Sequence, residues 1–116
     1  MPPLHRELEA VEELHDRFGF TYAEIASAVN TRESSLHRWR LNDGAPPTPV
    51  YLARLAAIDA FLTELRRTFR RKKDAADWVD KRVPAFGNRT AREMILAGPV
   101  ARVTGALYAI NAGVSI

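Results

Sequence analysis

The sequence contains no cysteine and no long hydrophobic run. The absence of cysteine excludes disulfide bonds and thiolate metal sites. No apolar segment approaches the roughly 20 residues that a membrane-spanning helix needs. The first seven residues, MPPLHRE, lack the apolar core of a signal peptide. Because chains without disulfides are usual in reducing compartments, these absences predict a cytoplasmic protein.

Motifs for catalysis and metal binding are also missing. The three histidines, His5, His15 and His37, have no metal-ligand spacing supported by further ligands. No glycine-rich phosphate loop of the P-loop or dinucleotide type is present. We therefore expect no enzymatic activity, no metal site and no cofactor.

Charge is divided unevenly along the 116 residues. Residues 1–65 carry six Lys/Arg against ten Asp/Glu, whereas residues 66–116 carry eleven against four. The net charge of +3 therefore combines −4 with +7, so it does not by itself reveal a nucleic-acid-binding face. Six of the basic residues lie in the segment 66–73, which has no acid. This segment either contacts phosphates or is a solvated helix end whose cations favour the helix dipole.

Apolar residues recur at helical spacing, and no segment alternates apolar and polar residues as a strand would. Four helices are expected in the first half, at about 4–17, 21–29, 32–41 and 49–69. Thr21 and Glu24 have capping-box spacing, and Thr31 is the predicted N-cap of the third helix. Thr48 followed by Pro49 opens the fourth.

Three shorter helices are expected in the second half, at about 74–81, 90–98 and 99–112. Thr90 and Glu93 form a second capping box, and Gly98 and Gly113 end the last two helices. The whole pattern predicts an all-α fold. The basic segment 66–73 marks a boundary that divides the chain into the units 1–70 and 71–116.

The fourth predicted helix has an apolar seam with alternating spacings of four and three. Such a seam packs either within one chain or against a second helix. Packing within the chain is the default for a small helical protein, but the length of this helix leaves a homodimer open. The seam consists of Tyr51, Leu55, Ile58, Leu62, Leu65 and Phe69, widened by Leu52 and Phe61.

Two parts of the sequence resemble one protein family. The segment 20–39 is similar to the second helix, turn and recognition helix of an Xre-type helix-turn-helix. The segment from Asp77-Trp78-Val79 through the turn and helix of 87–96 to Gly98 resembles the toxin-binding domain of the Xre/MbcA/ParS antitoxins. The resemblance continues through Val100, Val103, Leu107 and Ile110 to the end, Gly113-Val114-Ser115-Ile116. One departure is Ala91, where the family often has proline.

The resemblance implies that the chain is the antitoxin of a type II toxin–antitoxin system. Such antitoxins pair with RES-domain toxins, which degrade NAD, and the C-terminal tail covers the toxin's active site. On this basis 71–116 is the toxin-binding domain, and a homodimer or a higher hetero-oligomer with the toxin is open. The implied tail contacts are Asn111, Ala112, Gly113, Val114, Ser115 and Ile116, with Arg89, Arg92 and Arg102 at the rim.

The helix-turn-helix resemblance also implies binding to operator DNA and autorepression of the operon. In such motifs the N-terminal residues of the recognition helix contact base edges. The acidic first helix opposes strong attraction to phosphates, so the complex or a dimer is a candidate for the form that binds. The candidate DNA contacts are Arg32, Ser34, Ser35, His37, Arg38 and Arg40.

One alternative function stays open at this stage. The chain is then a stand-alone helix-turn-helix transcriptional regulator, and its C-terminal helices only mediate dimerisation. Removal of the tail distinguishes the two functions, because it abolishes inhibition of a toxin only in the first.

Overall fold

The computed structural model describes residues 5–113, with side chains from residue 6 onward, and confirms the all-α prediction. The helices are α1 (His5–Phe18), α2 (Tyr22–Ala28), α3 (Glu33–Arg40), α4 (Pro49–Thr68), α5 (Lys72–Val79), α6 (Ala91–Ala97) and α7 (Val100–Asn111). A 3-10 turn (Pro84–Phe86) lies between two-residue strands β1 (Arg82–Val83) and β2 (Arg89–Thr90). Among these described helices, none is long and apolar enough to cross a membrane.

Both predicted capping boxes are present. The Thr21 hydroxyl accepts a hydrogen bond from the Glu24 amide at 3.0 Å, and the Glu24 carboxylate accepts one from the Thr21 amide at 2.9 Å. Thr90 and Glu93 make the same pair of bonds at 3.0 and 3.2 Å. Each box satisfies backbone N–H groups that a helix start leaves without partners, so it fixes where α2 and α6 begin.

The start of α3 differs from the prediction, because Arg32 and not Thr31 is the N-cap. The backbone N–H of Thr31 is already used to end α2, where it donates to the Ala26 carbonyl at 2.9 Å. Asn30 stands in the left-handed region (φ 56°) and its N–H bonds the Ser27 carbonyl. This is a Schellman ending with asparagine in the place that glycine usually takes. The turn therefore occupies one residue more than expected.

One further helix start and one element differ from the prediction. The helix α5 begins at Lys72, two residues before the expected start. A short antiparallel ribbon pairs Arg82 with Thr90 and Val83 with Arg89, where no strand was expected. Two residues per strand are too few to produce an alternating pattern, so sequence periodicity could not reveal the ribbon.

The long helix α4 is the centre of the molecule, with α1 and α7 packed along it. The predicted seam forms its buried side: Leu55, Ile58 and Leu62 are fully buried. Tyr51 and Phe69, at the two ends of the seam, are partly buried. The seam thus packs within the chain, which decides between the two packing modes that the sequence left open.

A single hydrophobic core crosses the predicted boundary at residue 70. It includes Leu14 and Phe20 from the first half and Ile95 and Leu107 from the second. Trp78 lies between the rings of Phe69 and Phe86, with centroid distances of 6.0 and 6.5 Å. The two halves share this core, and the division into units 1–70 and 71–116 stays a prediction.

Candidate partner-binding and nucleic-acid-binding surfaces

The C-terminal end of α7 is fastened to α4 by Asn111. Its amide nitrogen Nδ2 donates to Glu64 Oε1 at 2.7 Å and to Thr68 Oγ1 at 2.8 Å. The Thr68 hydroxyl in turn donates to the Glu64 carbonyl. Glu64 is only 8 % exposed, and Arg67 Nη1 lies 3.7 Å from its other carboxylate oxygen. A buried carboxylate needs hydrogen-bond donors. Asn111 supplies one of them, and this bond links the end of α7 to the last turn of α4.

The helix ends directly after this link. The amide of Gly113 donates to the Ile110 carbonyl at 3.0 Å, and Gly113 adopts φ 80°, a left-handed conformation that ends the helix. Ala112 and Gly113 are both exposed. Asn111, Ala112 and Gly113 are therefore at the surface, while the predicted contacts Val114, Ser115 and Ile116 lie outside the described residues.

The side of α7 that faces away from α4 is exposed but not polar. Only one charged residue, Arg102, occurs in the helix, whose sequence is VARVTGALYAIN. Tyr108 is 67 % exposed, and open space surrounds the Cα of Gly105, so that an added Cβ would meet no atom within 4 Å. We refer to the exposed positions Ala101, Gly105, Tyr108 and Ala112 as the outward face of α7.

Two features of the outward face point to a partner. The solvent side of a surface helix normally carries charged or polar residues, whereas none of the four positions of the outward face is charged. Glycine inside a helix costs roughly 1 kcal/mol relative to alanine, and nothing in the described residues crowds Gly105. Sequence reasoning missed this face because it followed the inward stripe of Val103 and Leu107. The low polarity of the remaining positions was the available signal.

The three arginines predicted at the rim are placed differently from one another. Arg89, on β2, and Arg102, on α7, are exposed, and their side chains make no hydrogen bond or ion pair with any described residue. Arg92 is occupied within the chain: its Nε donates to Asp80 at 2.7 Å and its Nη2 to the Phe18 carbonyl. Its guanidinium also lies 4.2 Å from the centre of the Phe20 ring. Arg92 thus joins α6 to the α1–α2 connection.

The predicted recognition helix presents part of its candidate DNA-contacting set to solvent. Arg32, Ser34 and Arg38 are exposed, and Ser35 is half-buried. His37 is half-buried between Arg40 and Glu33, with its ring nitrogens 3.0 and 3.3 Å from their side chains. Arg32 is the N-cap of α3, and Ser34 and Arg38 lie on the side of α3 opposite the buried Leu36 and Trp39.

Arg40 is held by residues from two other helices. It donates to Glu12 on α1 and, at 2.8 Å, to the hydroxyl of Tyr22 on α2, and its guanidinium lies 3.9 Å from the Tyr22 ring centre. Burial raises the pKa of Glu12, but hydrogen bonds from Arg40 and Tyr22 and the charge of Arg40 outweigh it and leave that pKa below its ordinary value. The stacked ring of His15 covers Tyr22 at 4.0 Å. This network fixes α3 against α1 and α2.

Neither surface resembles a metal or catalytic centre. Within residues 5–113 no group of three or more histidine, aspartate or glutamate side chains is arranged to hold a metal ion. Asp80, one of three aspartates near α5, is used to bind Arg92. What the described surfaces offer is exposed apolar area at α7 and exposed cations at α3, both of which suit binding to macromolecules.

The arrangement of the seven helices is one found in a toxin–antitoxin complex. The chain is similar to a chain in the crystal structure of the M. tuberculosis MbcT–MbcA toxin–antitoxin complex, with a TM-score of 0.65 and 21% sequence identity. The similarity covers 94% of this chain and 96% of that chain. No protein-family model and no curated protein matches the sequence. The resemblance seen in the sequence is thus confirmed at the level of the fold, which does not by itself define function.

Proposed function

We propose that this chain is the antitoxin of a type II toxin–antitoxin pair and that its partner is a RES-domain toxin that degrades NAD. The similarity of fold to a chain of the MbcT–MbcA complex supports a toxin as the partner. The sequence resemblance to the Xre/MbcA/ParS antitoxins supports the RES class. The chain acts by binding and has no catalytic role, cofactor or metal of its own, and it works in the cytoplasm.

The outward face of α7 is the observation that carries the proposal. Tyr108 and Gly105 are exposed on a helix with a single charged side chain, and the face continues directly into Ala112 and Gly113. An aromatic side chain beside small residues is a common centre of a protein–protein interface, because it buries a large area at low cost in side-chain entropy. We infer that the toxin binds to this face.

Inhibition is steric in this mechanism. Asn111 holds the end of α7 to Glu64 and Thr68, so the point at which the tail is attached is fixed. A tail with a fixed origin loses less freedom on binding than one that leaves a frayed helix. Residues 113–116 enter the NAD cleft, while Arg89 and Arg102 bind polar groups at its rim.

The decisive experiment isolates the partner and then removes the tail. The tagged chain is purified from its native host, and the co-purifying protein is assayed for NAD consumption before and after the chain is stripped off. The chain without residues 113–116 is compared with the full chain and with Lys81→Ala, a change at an exposed site away from α7. We expect the truncated chain to bind the partner but fail to block NAD consumption. A partner that never consumes NAD rules out the RES assignment, and full inhibition by the truncated chain rules out the tail mechanism.

We further infer autorepression through α3. The exposed Arg32 and Ser34 at the start of α3 support this role, since the N-terminal residues of a recognition helix contact base edges, and the exposed Arg38 follows one turn later. Binding of the antitoxin–toxin complex to its own promoter is measured by fluorescence anisotropy. Arg38→Ala is expected to weaken it by about 1–3 kcal/mol if Arg38 reads a base. Equal binding of the promoter and of unrelated DNA contradicts sequence-specific repression.

The alternative is a stand-alone transcriptional regulator in which the outward face of α7 forms a homodimer. The same exposed Tyr108 favours it, because a two-fold contact would cover the face with itself. Light scattering on the purified chain, with and without Tyr108→Glu, separates the two. A stable dimer that Tyr108→Glu dissociates, in a preparation with no NAD-consuming partner, supports the regulator.

A further inference from the structure

A groove lies where α1 and α4 end and α5 begins, on the side of α4 away from the end of α7. Its cavity volume is about 640 Å³. The floor is apolar: it exposes parts of Phe18 and Phe69, and its lining also includes Leu62 and Leu65, whose side chains are buried in the core. On α4, Leu62 and Leu65 are among the lining residues of the groove, whereas Glu64 and Thr68 bind Asn111 and are not among them. The groove is therefore separate from the surface assigned to the toxin.

The rim of the groove is strongly cationic. It carries Arg17, Arg66, Arg70, Lys72 and Lys73 against one carboxylate, Glu13. Glu13 is already paired with Arg66 at 2.8 Å. The other four cations are exposed, and their side chains make no hydrogen bond or ion pair within the described part of the chain. Four like charges around one groove repel one another, so an anionic occupant relieves a cost that the folded chain alone bears.

The chemistry of the occupant follows from floor and rim together. A nucleic-acid duplex would satisfy the cations, but its bases are stacked inside and its phosphates and sugars offer no apolar group to cover Phe18 and Phe69. A single carboxylate would leave most of the rim unpaired, because its cations come from α1, from the end of α4 and from α5. A peptide segment with several acidic side chains on one side and large apolar side chains on the other satisfies both.

The chain itself does not supply such a segment. Its acidic amphipathic helix is α1, but the apolar side chains Val11 and Leu14 are fully buried in its own core. A second copy therefore has no free acidic amphipathic helix to offer without unfolding. We propose that the groove is a docking site for an acidic amphipathic segment of a partner protein.

The test selects ligands without assuming their sequence. A displayed library of random peptides of about 12 residues, long enough for three helical turns, is selected on the full-length chain. Enriched peptides are labelled and their affinities measured by fluorescence anisotropy. We expect an excess of acidic over basic residues together with apolar residues at helical spacing. Enriched peptides without acidic excess contradict the proposal.

Three variants then locate the binding site. Arg70→Glu reverses one rim charge, and Ala76→Trp fills the groove without changing charge. Lys81→Glu makes the same charge change at an exposed position outside the groove. We expect the first two to lower peptide affinity about tenfold or more, as like-charge contacts and lost pockets do, and Lys81→Glu to change it less than about twofold. Thermal unfolding confirms that each variant is folded.

Two probes test whether the groove binds negatively charged molecules other than peptides. A duplex of about 20 base pairs is used as a probe for phosphate binding, and vesicles containing phosphatidylglycerol as a probe for anionic lipid. The groove is not a peptide site if the selected peptides bind Arg70→Glu and Ala76→Trp as well as the unchanged chain, while Arg70→Glu weakens binding of the duplex or the vesicles. Peptide binding that depends on both substitutions supports it.

Discussion

Replacement of Gly105 by alanine should stabilise the fold and weaken partner binding at the same time. Gly105 is the sixth of the twelve residues of α7 and has a helical backbone. Alanine in a helix interior is favoured over glycine by roughly 1 kcal/mol. No steric cost offsets this gain, because an added Cβ has no atom of the described chain within 4 Å. For a chain of 116 residues this corresponds to a rise in Tm of about 4 °C.

The effect on binding has the opposite sign. If the toxin packs closely over the outward face, the new methyl group occupies space that the partner fills. Overpacking of a closely packed contact costs typically about 1–3 kcal/mol, which is about 5- to 150-fold in Kd. Stability is measured by urea and thermal unfolding of the free chain. Affinity is measured by calorimetric titration with the co-purified partner.

The opposite signs make the prediction easy to refute. If Gly105 does not contact the partner, Gly105→Ala changes the stability of the free chain and leaves the affinity for the partner unchanged. Tighter or unchanged binding by Gly105→Ala means that the outward face is not the contact. Ala97→Gly, at an exposed position on α6, is a control that lowers stability without touching α7. Reduced affinity in that control would show that stability itself, and not the contact, governs binding.

Three other substitutions test separate parts of the fold. Asn111→Ala removes the amide that donates to the nearly buried Glu64 at 2.7 Å, and it should lower the unfolding free energy measured in urea by about 1–3 kcal/mol. A loss below about 0.5 kcal/mol, which is within the range of ordinary surface substitutions, contradicts the link to α4. Thr90→Ala removes the capping box of α6 and should lower the unfolding free energy by about 1 kcal/mol. Thr21→Ala is the matched change at α2, and an unchanged unfolding free energy in both variants refutes the capping argument. The pKa of Glu12 lies below its ordinary value of 4.5 in the folded chain, so its stabilising effect is complete above that pH and is lost as the pH falls through the folded pKa. Glu12→Gln should therefore make the unfolding free energy vary less with pH on the acid side, and an unchanged pH dependence rules out this role.

Much of the fold could be predicted because helix starts are decided locally. Thr21 with Glu24, and Thr90 with Glu93, need only each other and one turn of backbone, so their spacing in the sequence was sufficient. The seam of α4 was predictable for the same reason, since residues such as Leu55 and Ile58 recur with the period of the helix. The error at Thr31 arose because Thr31 is the last residue of the Schellman ending of α2, so the N-cap of α3 is the next residue, Arg32.

The candidate site was predicted less completely, because contacts between distant residues decide which side chains remain free. Arg40 and Arg92 looked as available in the sequence as Arg38 and Arg102. In the fold Arg40 binds Glu12, 28 positions earlier, and Arg92 binds the backbone of Phe18, 74 positions earlier. Their assignment as DNA and toxin contacts stays a prediction, which now requires those internal bonds to be kept or exchanged.

The sequence by itself determined the helices, their two capping boxes, the apolar seam and the division of charge between the halves. These features depend on neighbours within one or two turns, so composition and spacing describe them fully. Only the tertiary structure decided that α4 uses its seam inside the chain, that α7 leaves Tyr108 and Gly105 uncovered, and that four cations surround an apolar groove. Exposure is a property of the whole packed molecule, because it depends on which distant elements cover a surface, and this is not encoded at any one position.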